Sequence, residues 1–250
     1  MIRRTELKSF LDFKVEQYNQ PKFIETDPIQ IPHLFSKKED IEISGFLTAT
    51  ISWGNRKSIL KNAHSLMQLM DNSPHDYVLN HKKEDLQVMS NFVHRTFNDT
   101  DLKYFISSLQ NIYRHHGGLE QVFIKNGRTG SLQKSIHDFK KIFLELPHLM
   151  RTEKHISDPQ KNSAAKRINM FLRWMVRNER SGVDFGIWDK ISPAQSALNK
   201  GMIFTQHHDA PVALPSSTMI LYSVVNRISR SGKVIGADER ISPYHALKSL

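Results

Sequence analysis

Between Asp40 and Arg177 apolar residues recur at spacings of three and four, segment after segment, with polar residues between the stripes. That period belongs to helices with one face in a core, so the chain reads as all-α. The clearest stretch runs from Asp99 to His115, where Leu102, Phe105, Ile106, Leu109, Ile112 and Tyr113 form the stripe and Gly117-Gly118 stops it. Asn55 to Met70 repeats the pattern with Ile59, Leu60, Ala63, Leu66, Met67 and Met70. Leu119 to Ile124, Ser131 to Leu144 and Ser163 to Arg177 are further helices, and Thr5 to Tyr18 is a shorter one. Ser73-Pro74 opens another in cap-then-proline order. Asp40 to Ser52 is apolar on nearly every side after Glu42. It suits a buried helix, although its β-branched residues leave a strand open. Pro21, Pro28 and Pro32 interrupt the chain between the first two helices. No hairpin, βαβ unit or internal repeat is expected.

Residues 196–250 differ in texture, with few charges, scattered Pro and Gly, and no stripe longer than two turns. Met219 to Val225 fits either a strand or a short buried helix. The expected organisation is therefore a helical part over 1–195 and an atypical tail over 196–250. Of the 250 residues 39% are hydrophobic, enough for a core that excludes wholesale disorder.

Subtracting 25 acidic from 35 basic side chains leaves +10, with 13 histidines besides. Such a surface concentrates polyanions by its long-range field, which points to nucleic acid before anionic membranes or phosphorylated ligands. A merely soluble basic protein is the plain alternative. The absence of cysteine excludes disulfides, thiolate zinc fingers, iron–sulfur clusters and Cys nucleophiles together. A polar start, no apolar run of membrane-spanning length and no cysteine fit a soluble cytoplasmic protein. His115-His116 and His207-His208 are adjacent pairs that point to different helix faces, so neither a metal nor any other cofactor is expected.

The densest cluster of chemistry is Lys161 to Arg177. On a helix, Ala164, Ala165, Ile168, Phe171, Leu172 and Met175 face the core. Arg167, Met170, Trp174 and Arg177 occupy another side, flanked by Lys166 and Arg173. Cations interleaved with an accessible Trp suit a phosphate backbone and stacked bases. A solvated basic face whose Trp packs on a neighbour reads the same way. Lys161, Asn162 and Ser163 form the polar turn before it, and Arg56 and Lys57 begin the helix after Trp53-Gly54-Asn55. Lys166 stands where an amine nucleophile could sit. Attack on a sugar carbon needs a carboxylate to offset oxocarbenium charge, and Asp184 is the candidate; equally, Asp184 caps a helix entered at Phe185.

Several segments carry a family resemblance. Phe46-Leu-Thr-Ala-Thr-Ile-Ser-Trp-Gly-Asn-Arg-Lys57, Phe92-Val-His-Arg-Thr-Phe97, Asn111-Ile-Tyr-Arg-His-His-Gly-Gly118, the Asn162–Arg177 run and Gly182-Val-Asp-Phe-Gly-Ile-Trp188 resemble a bacterial family numbered 2400 among domains of unknown function. The likeness runs from about residue 5 to Gln195. That family looks like a distant branch of the helix-hairpin-helix DNA glycosylases. The resemblance implies a two-lobed all-α protein that acts on damaged or abasic duplex DNA. It would extrude a base, with Lys166 as Schiff-base nucleophile and β-elimination of the strand to follow. Two departures bear on it. The hairpin's Leu-Pro-Gly-x-Gly is replaced by Ser157-Asp-Pro-Gln-Lys-Asn-Ser163. The family's Leu-Asp-x-His segment does not follow Ser192-Pro-Ala-Gln195, as a shifted reading frame would produce, so this copy is expected to lack part of the active site. The functions left open are a glycosylase-like enzyme, a non-catalytic nucleic-acid-binding module and a basic helical scaffold.

Overall fold

The computed structural model describes residues 9–10, 12–13, 16–127, 132–178 and 181–188, with backbone only over 125–127. The tail over 196–250, with its strand-or-helix segment at Met219, lies outside these residues. Among them the architecture is helical, as the periodicity predicts. After the turn of helix α1 (Pro21–Ile24) come α2 (Lys38–Ile51), α3 (Arg56–Leu69), α4 (Pro74–Asn80), α5 (Asp99–His115), α6 (Leu119–Gly127), α7 (Leu132–Phe143) and α8 (Lys166–Val176). Short 3₁₀ turns fill the joints, at Pro28–Gln30, Pro32–Leu34, Asp85–Met89, Met150–His155 and Pro159–Lys161.

Helix α2 settles the ambiguity of its sequence: it is a helix buried from Ile41 to Ile51. A helix apolar all round needs neighbours on every side. It packs against α3, α4, α8 and the two proline-led 3₁₀ turns. Phe46 is its central contact, with Phe105, Phe139, Phe143 and Phe171 rings all 5.5–6.0 Å away. Gly45 lets α8 approach, since a Cβ there would sit 3.2 Å from Met175 Cε. The buried apolar residues from Ile29 to Trp188 make one continuous cluster.

Two departures from the sequence reading stand out. Val93–His94 and Phe97–Asn98 pair antiparallel as a two-residue-per-strand hairpin, β1 and β2, where no hairpin was expected. Its turn is Arg95-Thr96, with Arg95 at φ 56. Neither residue carries the Asn-Gly or Asp-Gly signal of such turns. Helix α8 also begins later than Ser163. Ala165 takes φ 46 and its N–H donates to Ser163 Oγ, which holds the chain in a turn until Lys166.

Four carboxylates are buried among the described residues: Asp158 pairs with His137, and three others tie more distant segments. Glu42, 2% exposed, accepts from Tyr113 Oη at 2.6 Å and Trp188 Nε1 at 2.7 Å. Asp101 is fully buried; Thr152 Oγ1 donates to it at 2.8 Å, Arg151 Nη2 at 3.1 Å and Asn98 N at 3.2 Å. It thus closes the Asn98 capping box of α5 while holding the 150–155 turn against the hairpin. The third, Asp184, belongs to the site below.

Burial pushes the Glu42 carboxyl above its ordinary value, against the opposing donors Tyr113 and Trp188. The folded chain therefore keeps this proton to higher pH than the unfolded chain does. Glu42's contribution to stability is full below the unfolded value of 4.5 and is lost as pH rises through the folded value. Glu42→Gln has no such loss, so its unfolding midpoint should gain on wild type as pH rises above 4.5. Parallel profiles would contradict this. Asp101→Ala leaves several buried donors unmatched and should cost about 3 kcal/mol or more in urea unfolding.

Candidate nucleic-acid interface

Helix α8 carries most of the candidate residues, and its packing decides which of them reach solvent. Phe171, Leu172, Trp174 and Met175 are buried, while Lys166, Asn169, Arg173 and Arg177 are exposed along one stripe. Trp174 was expected to be accessible for stacking; at 4% exposure it belongs to the core. Arg167, likewise expected at the DNA surface, turns inward. Its guanidinium lies 4.7 Å over the Trp53 ring and donates to Thr50 O and His155 O. Burial lowers its pKa from the ordinary arginine value. Arg167 is a tie between the first turn of α8, the end of α2 and the 150–155 turn.

Asp184 also takes a different place. It does not cap a helix at Phe185, because residues 185–188 are non-helical and run back past the end of α8. Phe185 N and Trp188 N donate to Trp174 O and Met175 O at 2.8 and 3.0 Å, satisfying carbonyls that the helix end leaves open. Gly186, at φ 58, permits this return, since a Cβ there would meet Asn178 Cα at 2.7 Å. The turn buries Asp184 beside α8, where Arg173 Nε and Arg177 Nη1 both donate to its Oδ2 at 3.3 Å. These arginines lie seven and eleven residues beyond Lys166, about 10 and 16 Å along the helix axis. Asp184 is therefore not brought to Lys166 as a catalytic partner. It orients arginines.

A second carboxylate continues the seam. Asp27 caps its 3₁₀ turn by accepting from Ile29 N, and Arg56 Nη2 stands 3.9 Å from it. Burial raises the Asp27 carboxyl; the Ile29 amide, Arg56 and Arg173 oppose that rise, which places α8 and the α2–α3 connection around one acid. Arg56 and Lys57 open α3 behind the Asn55 cap, both exposed. Lys161 and Asn162 are exposed on the turn before α8, and Ser163 is half-buried there with its hydroxyl engaged by Ala165 N. Asp27 thus brings Arg56 and Arg173 together and Asp184 holds Arg173 and Arg177, while Lys57, Lys161, Asn162 and Lys166 stand exposed where α3 and α8 begin and Trp174 and Arg167 turn inward. Arg173 and Arg177 keep 56% and 43% of their side chains exposed.

Sequence reasoning missed the layer beneath. Trp53, half-buried, meets His94 edge-on at 5.0 Å and His155 in a stack at 6.2 Å. His155 Nε2 lies 3.2 Å from Asp101 Oδ2 but makes no aligned hydrogen bond. Burial, chiefly, depresses its pKa, with Lys154 and Arg167 adding to the effect against Asp101. The signal available was Asn98-Asp-Thr-Asp101, a helix-opening pattern whose fourth residue was free for further partners.

An open cavity of about 560 Å³ lies at the other end of α3, lined by Asp71, Asp76, Tyr77, His81 and Asp85 among others. Its three aspartates have the wrong sign for a phosphate. Among the described residues, no group of three metal-ligating side chains converges and no helix is long and apolar enough to cross a membrane.

Among the described residues the protein is all-α, with Arg173 and Arg177 anchored on the buried Asp184. The chain belongs to the family described as "Protein of unknown function (DUF2400)", whose model matches residues 27–199. No curated protein and no solved structure matches it significantly.

Asp184→Asn removes the charge that orients two arginines and leaves a buried amide in its place. It should lower stability by about 1–2 kcal/mol in urea unfolding, the half-exposed partners limiting the loss. A variant as stable as wild type would mean that Asp184 does not brace α8.

Proposed function

We propose that this protein binds nucleic acid, with DNA as the partner, through the seam formed by α8 and the α2–α3 connection. The observation that carries this reading is Asp184 anchoring Arg173 and Arg177 on one exposed helix face, with Arg173 keeping 56% of its side chain exposed. A guanidinium fixed by a buried carboxylate has its N–H groups held in a set direction, which suits the fork geometry of a phosphate. Arg56, Lys57, Lys161 and Lys166 extend the run of positive charge, and the overall +10 adds the long-range attraction.

A glycosylase-like lyase is the second, finer reading. It rests on the helix-hairpin-helix resemblance and on Lys166, which stands exposed at the first position of α8, beside the turn Lys161-Asn162-Ser163. In that reading Lys166 attacks the anomeric carbon of an abasic sugar, and some group other than Asp184 offsets the developing charge. The basic scaffold is the third, for a partner that is not nucleic acid.

Fluorescence anisotropy with a labelled duplex across a salt series tests the main reading. Binding should weaken linearly in log affinity against log salt, and Arg173→Ala and Arg177→Ala should each weaken it and reduce the slope by about one. No binding at low salt, or an unchanged slope in the double variant, would overturn the reading and leave the scaffold. Borohydride treatment of complexes with an abasic duplex separates enzyme from binder. An adduct lost in Lys166→Ala establishes the lyase, and salt-sensitive binding without an adduct leaves a binding module.

A further inference from the structure

Met150 is the most exposed large apolar side chain among the described residues, at 86%, with Leu149 at 57% before it and Val93 at 58% on the neighbouring hairpin. Isolated apolar side chains on a surface need no explanation. This group differs in how it is mounted. Arg151, the next residue, donates to Thr96 O at the hairpin tip at 3.0 Å and to the buried Asp101 at 3.1 Å. Thr152 donates to the same carboxylate at 2.8 Å. The 149–151 turn and the hairpin are thus pinned to one fully buried acid, and Met150 projects from a fixed base.

Two cations stand on the same pair of turns. Arg151 keeps 40% of its side chain exposed, and Arg95 is exposed on the hairpin turn. Arg95 also joins this tip to the phosphate-binding seam, because its Nη1 would lie 2.6 Å from a Cβ placed on Gly54. Gly54, at φ 101, sits between Trp53 and the Asn55-Arg56-Lys57 start of α3.

We infer that Met150, with Leu149 and Val93 beside it, is an apolar wedge that enters a base step of duplex DNA while Arg95 and Arg151 take the flanking phosphates. The inference rests on the nucleic-acid reading above and deepens it. Apolar side chains accompanied by cations suit this use because partial unstacking of a base step exposes an apolar slot between two phosphate lines. An anionic lipid surface offers the charge without the slot.

The test uses duplexes carrying 2-aminopurine, whose emission rises when its neighbours unstack, read together with anisotropy on the same samples. Wild type should bind and raise the emission. Met150→Ser, at a site too exposed to affect folding, should bind about tenfold more weakly and give no rise at saturation, with the salt slope unchanged. Full emission from bound Met150→Ser would overturn the wedge while leaving the nucleic-acid reading intact. Absence of binding by wild type at low salt would remove that reading and the wedge with it. Co-sedimentation of wild type, but not Met150→Ser, with vesicles of anionic phospholipid would also overturn the wedge, assigning Met150 to a membrane surface.

Discussion

Everything on the cationic face depends on α8 lying across α2. Phe46 and Phe171 meet at 5.6 Å, and Gly45 gives Met175 room to come close. Arg167 then crosses from the first turn of α8 to the last turn of α2 through Thr50 O. Because interiors pack like crystals, this contact fixes the end of one helix against the beginning of the other. The α2–α3 connection leaves from that point, so Trp53, Arg56 and Lys57 are placed by the same packing that places Lys166 and Arg173.

On that frame, buried acids do the orienting. Glu42 joins α2 to Tyr113 on α5 and to Trp188; Asp101 joins α5 to the hairpin and the 150–155 turn; Asp184 joins the returning segment to α8. Burying a charge is costly, and such groups persist where several donors meet them. Glu42 and Asp101 have those donors. Asp184 is the least satisfied: its Oδ2 takes both arginines and its buried Oδ1 has no hydrogen-bond partner. In a chain with ten more basic than acidic side chains, placing four acids of the described residues in the interior leaves the surface still more positive. The arrangement turns an unspecific charge excess into cations with a direction.

The amphipathic helices were legible because each buries one stripe, and Asp99–His115 begins and ends where its pattern does, whereas α2, buried all round, left a strand open. The α8 stripe was legible only in part. Trp174 lies off the Ile168–Met175 face, yet it is buried, because α8 is covered on more than one side once residues 181–188 return past its end. Arg167 reads as a surface cation by type, and only the nearby Trp53 ring and two carbonyls draw it inward. The hairpin escaped notice because two pairs of residues are too short for alternation to register, and Arg95 adopts positive φ without a glycine or asparagine to announce it. Asp184 was found as an interesting acid, but its neighbours are set by a turn at Gly186 that no spacing rule reveals.

Hydrogen–deuterium exchange with and without a saturating DNA duplex addresses the central claim directly, since it locates the contact without changing a residue. The account predicts slowed exchange over 53–57 and over 161–177, with the acidic rim around Asp71, Asp76 and Asp85 unchanged. Slowing confined to that acidic rim, or none along α8 in a protein that demonstrably holds the duplex, would contradict it.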